Sequence, residues 1–247
     1  MKKLVAYITA GFPSSNFTVD LALSLKEAGV DSLELGIPFS DPVADGPIIE
    51  QANLKALQNG FKIDHLFDIS QQIGKEIDTL WMGYFNPFYH RGMGIFTDKA
   101  KEFGVSGFII PDLPHEEAVA YASLMKEKEL SLISFVAPTD SHERIKQVVE
   151  HSSKFIYLVA YAGITGSGAS EDLSETIISI RKSSATPVYV GFGVDEKTAK
   201  EKARGVDGVI VGSAFVKILL DDSLSNSQKI VKISDLARVI KEIINEA

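Results

Sequence analysis

Two carboxylates close together in sequence carry the first chemical signal of this 247-residue chain. Glu34 lies inside an apolar run, Leu33-Glu34-Leu35-Gly36, where a buried charge is costly unless a function or a partner compensates. Asp45 follows in the loop Ile37-Pro38-Phe39-Ser40-Asp41-Pro42-Val43-Ala44-Asp45-Gly46-Pro47, whose Pro and Gly punctuation marks irregular backbone of the kind that carries function. Each acid has two readings. Glu34 either serves as a general acid and base, with burial raising its pKa, or points to a rim and meets a Lys or Arg. Asp45 either takes part in chemistry or caps a helix over 48–57, and Asp41 before Pro42 reads as a turn former.

Glycines supply the second signal. Gly191-Phe192-Gly193 and Gly212-Ser213-Ala214 follow two consecutive apolar runs, the second ahead of a short apolar segment. Backbone N–H groups and a short helix N-terminus in such places can hold a phosphate; the plainer reading is a pair of tight turns. The run Tyr161-Ala162-Gly163-Ile164-Thr165-Gly166-Ser167-Gly168 has the glycines of a lid or of an ordinary surface loop. Tyr84, Tyr157 and Phe192 lie at or near the ends of apolar runs and either flank a flat apolar ring or belong to the core.

Absences narrow the chemistry. With no cysteine, thiolate nucleophiles, disulfides and thiolate-bound metals drop out. No lysine ends an apolar run, which removes a Schiff-base nucleophile. His65, His90, His115, His142 and His151 show no HxH or HExxH spacing, so no metal site is expected. No GxGxxG follows the first apolar run, and no cofactor is expected. The net charge of −8 argues against a nucleic-acid partner. No run approaches the ~20 apolar residues of a membrane span, and Met1-Lys2-Lys3 leads into too short an apolar stretch for a signal core; a cytoplasmic protein is expected.

These residues need a frame that brings them together. Eight β-rich apolar runs, at 4–9, 32–36, 79–84, 107–110, 131–136, 155–160, 187–191 and 208–211, alternate with amphipathic stretches, the pattern of βα units on a parallel sheet. Helical patterns fall at 17–28, 115–128, 143–150, 173–182, 196–203 and 233–245, and the polar stretch 221–229 reads as a long connection. Eight units predict an α/β fold, a single (β/α)8 TIM barrel forming one domain over residues 1–247, with its active site at the C-terminal ends of the strands. A doubly wound open sheet is the structural rival.

The run Leu33 to Pro47 resembles the signature of tryptophan synthase α subunits. Tyr84-Phe85-Asn86-Pro87, Pro111-Asp112-Leu113-Pro114, Ala162-Gly163-Ile164-Thr165-Gly166, Gly191-Phe192-Gly193 and Gly212-Ser213 resemble the family's segments in order. The resemblance implies a lyase of tryptophan biosynthesis that splits indole-3-glycerol phosphate into indole and glyceraldehyde 3-phosphate. It implies Glu34 as catalytic acid/base, Asp45 on the indole nitrogen, Tyr157 as an active-site tyrosine, Thr165 as a lid residue meeting the Asp, and Phe192 as a wall of the indole site. Gly166, Gly193, Gly212 and Ser213 match its phosphate cradle. It further implies an allosteric α2β2 heterotetramer with a pyridoxal-phosphate β subunit. Two departures stand out: the first strand comes almost at once, where many members carry a helix that plugs the barrel floor, and Tyr161 stands where many have arginine. A sugar-phosphate isomerase or epimerase, and an allosteric partner without its own catalysis, are the alternatives.

Overall fold

The computed structural model describes residues 1–160 and 173–247. Nine parallel strands occur in it: β1 (Lys3–Thr9), β2 (Ser32–Gly36), β3 (Asp78–Met82), β4 (Gly107–Ile109), β5 (Ser131–Leu132), β6 (Ser134–Val136), β7 (Ile156–Val159), β8 (Val188–Gly191) and β9 (Gly208–Val211). Their order is β5-β4-β3-β2-β1-β9-β8-β7-β6. The two ends of this order, β5 and β6, are halves of the fifth apolar run, separated by Ile133. Gly107 and Phe108 of β4 pair with β5, while Phe135 of β6 pairs with Tyr157. The Ile133 N–H still donates to the Phe108 carbonyl at 2.9 Å, so one extended segment closes the ring. The fold is a TIM barrel with helices outside.

Continuous burial along β2 and β9 fits strands covered on both faces. The interior is filled by tyrosines laid over glycines. A Cβ on Gly36 would fall on the ring and hydroxyl of Tyr7, one on Gly191 on those of Tyr157, and one on Gly208 would lie 2.8 Å from Tyr189 Cδ1. A flat ring can cross the barrel only where the neighbouring strand has no side chain. At the N-terminal end, Lys154 Nζ bonds Asp78 at 2.9 Å and Ser32 Oγ donates to the same carboxylate at 2.6 Å. The chains at β3 and before β7 are not neighbours in the ring, so this half-buried ion pair spans the floor.

Several expected boundaries shift. The helix expected at 115–128 is broken into His115–Ala118, a 3-10 turn at Val119–Tyr121 and Ala122–Lys128. The closing helix is Asn226–Asn245, longer than expected, because Ser225 and Gln228 form a capping box within the stretch read as connection. Helices Ile63–Ile73, Phe85–Arg91 and Met93–Phe103 were not among the expected ones. The helix expected at 196–203 is confined to Ala199–Lys202. Among the described residues no helix is long and apolar enough to cross a membrane.

Candidate active site

Glu34 sits in β2 in register with Tyr7 of β1 and Leu80 of β3, 1% exposed. Among the described residues it meets no Lys or Arg, and its buried Oε1 has no hydrogen-bond partner; the rim ion pair is not what the fold contains. Burial, and then the charge of Asp45, raise its pKa to about 8. At neutral pH this carboxyl therefore holds a proton that it can give away.

Asp45 is not a helix cap. Helix Pro47–Gln58 starts from Gly46, with no side-chain cap, because Pro47 already lacks one of the N–H groups a cap would serve. Asn53, on the buried side of that helix, donates instead from Nδ2 to Asp45 Oδ2 at 3.0 Å. The Tyr84 hydroxyl accepts from the Ala44 N–H at 3.0 Å, and the Tyr84 ring stacks on Phe39 at 5.3 Å. The loop is thus fastened on both sides of Asp45. Burial pushes the Asp45 pKa up to about 6, with the Asn53 and Tyr84 hydrogen bonds opposing, so the group is mostly ionised at pH 7.

Tyr157, expected near a strand end, points into the barrel from within β7. Its ring stacks on Phe135 at 4.8 Å and lies 6.0 Å from that of Phe192. Its pKa is raised well above the ordinary phenol value, first by burial and then by the charges of Glu34 and Asp45, which places all three in one cluster. Phe192 and Gly193 leave β8 with φ of 71° and 67°; for a bulky residue such a left-handed conformation is strained, as is common at functional sites. Gly212 precedes helix Ser213–Leu219, where Ser213 is exposed. Thr165 and Gly166 lie outside the described residues.

The two acids, the aromatic residues and the glycine turns converge at the C-terminal end of one barrel. The family model described as "Tryptophan synthase alpha chain" matches residues 1–245. This chain belongs to that family. It is 58% identical over 246 residues to a tryptophan synthase alpha chain of Wolinella succinogenes, covering 99% of this chain and 96% of the relative. The solved tryptophan synthase subunit alpha of Legionella pneumophila superposes with a TM-score of 0.88 at 33% identity, covering 100% of this chain and 94% of that one. A chain of Mycobacterium tuberculosis tryptophan synthase gives 0.87 at 30% identity, with 98% and 92% covered.

For this member of the tryptophan synthase alpha chain family, sequence reasoning missed three residues at the site. Asn53 holds Asp45; its signal is a polar residue on the apolar stripe of Ile49, Ala52 and Ala56. Tyr7 lies across Gly36, with its pKa raised well above the phenol range by burial and then by Asp45; it was readable only from the inward phase of β1. Asp112 accepts from the Phe85 N–H at 2.8 Å and so fixes the chain just after Tyr84. Among the described residues no group of three or more His, Cys, Asp or Glu is placed to hold a metal.

Proposed function

We propose that this chain cleaves indole-3-glycerol phosphate to indole and glyceraldehyde 3-phosphate by a retro-aldol reaction, with Glu34 and Asp45 as its catalytic residues. The observation that carries the proposal is a buried, proton-bearing carboxyl with an open oxygen beside a second carboxylate that stays ionised. Glu34 protonates C3 of the indole ring, and Asp45 stabilises the positive charge that develops on the ring N–H. As the bond from C3 to the glycerol chain breaks, the Glu34 carboxylate removes the proton of the adjacent hydroxyl, releasing the aldehyde and regenerating the acid. Tyr84, Tyr157 and Phe192 form walls for the flat ring.

The phosphate falls to Gly193, Gly212 and Ser213, together with Gly166. At Gly212 packing leaves room for a side chain, since a Cβ would meet Ile49 and Tyr7 only at 3.5 Å, an ordinary contact, but the backbone, with φ −120° and ψ −78°, lies outside the regions open to other residues and itself favours glycine. The free N–H groups at the start of helix Ser213–Leu219 are the donors for the phosphate in this reading. We further read residues 1–247 as one domain that joins a β subunit in an α2β2 assembly. Turnover of indole-3-glycerol phosphate by the isolated chain tests the reaction. Glu34→Gln should lower kcat by ~10²–10⁴-fold with substrate still bound; a variant keeping more than about a tenth of the rate would remove Glu34 from the mechanism.

A further inference from the structure

Outside the barrel, a cleft of ≈730 Å³ separates the broken helix after β4 from helix His142–Val149. Its size lies in the range of small-molecule sites, ~300–1,000 Å³. The fifth apolar run forms its floor, and Met125, Leu132 and Val148 give it an apolar lining. Its two acids face backbone amides: Asp112 Oδ1 takes the Phe85 N–H at 2.8 Å and Asp140 Oδ2 the Ala137 N–H at 2.7 Å. Arg144 is paired with Glu116, one of its two contacts being 3.0 Å, and this pair straps the two walls. The Lys126 ammonium and the His151 imidazole also line the cleft, and among the described residues neither has an ion-pair partner. Both follow the same direction of chain: Lys126 lies in the last turn of helix Ala122–Lys128 and His151 just past helix His142–Val149. The donors therefore collect at the N-terminal end of the barrel, beside Met125 and Val148, and Ala122, Ala118 and Leu113 carry the lining toward the other end. The lining runs from Pro111 and Leu113 after β4 to Leu130 and Ser153 ahead of β5 and β7, the height of the barrel wall, a long shape that suits a chain better than a compact ring.

We propose that this cleft binds a linear carboxylate of the fatty-acid class, with the head group at Lys126 and His151 and the chain running from Met125 and Val148 past Ala122 and Ala118 toward Leu113. Decanoate is the probe, titrated calorimetrically into the full chain below its micelle concentration. One saturable site per chain is expected. Lys126→Glu should weaken it at least about tenfold, the effect of losing a charge-assisted hydrogen bond, while leaving decyltrimethylammonium binding undiminished. Ala122→Trp, on an exposed position that faces the cleft, should block decanoate by filling the space, with melting temperature confirming that the fold is kept. Should Ala122→Trp fail to fold, the surface change Lys126→Glu still decides the matter. Non-saturable or absent binding, wild-type affinity in Lys126→Glu, equal affinity for the cationic probe, or displacement by glycerol phosphate would each overturn the assignment.

Discussion

In the proposed reaction Glu34 works as an acid and Asp45 as an anion, so the two titrations bound activity from opposite sides. Asp45, at about 6, loses its charge as pH falls; Glu34, at about 8, loses its proton as pH rises. The kcat/KM for cleavage should therefore be bell-shaped, with an acid limb near the first value and an alkaline limb near the second, each belonging to the coupled pair. Because the Asp45 charge helps raise Glu34, Asp45→Asn should move the alkaline limb downward as it lowers the rate. A profile level from about pH 7 to 10 would mean that Glu34 is not the acid. Glu34 was legible because a charge within an apolar β run is rare. Asp45 remained ambiguous in sequence because loop acids serve as caps, turns and catalysts alike; its distinction depends on Asn53, which becomes its neighbour only through the phase of helix Pro47–Gln58.

Strands and helices were legible to different degrees. Buried parallel strands announce themselves as apolar runs, and all eight expected runs contain strand. What the runs could not display is the ring: Ile133 looks like its neighbours, yet it is where pairing changes from β4 to β7. Tyr–Gly pairing across strands was equally hidden, since it joins residues such as Tyr7 and Gly36 that are distant in sequence. This pairing makes a test at the level of the element. Gly36→Ala should destabilise by ~1–3 kcal/mol, because its methyl overlaps a buried ring. Tyr7→Ala alone should cost ~3–5 kcal/mol through the cavity it leaves. In the double variant the methyl enters space that the ring has vacated, so chemical denaturation should show a loss clearly smaller than the sum. Strict additivity would mean that the two residues do not share that space.

At the scale of the whole molecule, the proposed β-subunit contact and the closure of the barrel can each be tested. Val43 is 83% exposed, and the next residue, Ala44, is tied to Tyr84; a β subunit resting on this loop would bear directly on Asp45. If docking favours the closed site by ~2–3 kcal/mol, it should raise the cleavage rate roughly 30- to 150-fold, and glycerol phosphate should tighten β-subunit binding by the same factor. Unchanged rate and unchanged affinity would mean that the chain acts alone. The closing segment has a consequence of its own. β1 and β2 are joined through five residue pairs and β8 and β9 through two, but among the described strands only the fifth run is itself interrupted, with two pairs on one side of Ile133 and three on the other. Opening is therefore not shared evenly round the circumference: thermal fluctuations should part the staves along this one line long before the whole barrel unravels. In native-state hydrogen exchange, amides of residues 131–136 should trade their protons for deuterium well ahead of those in β1 and β2, and by a route that denaturant barely accelerates.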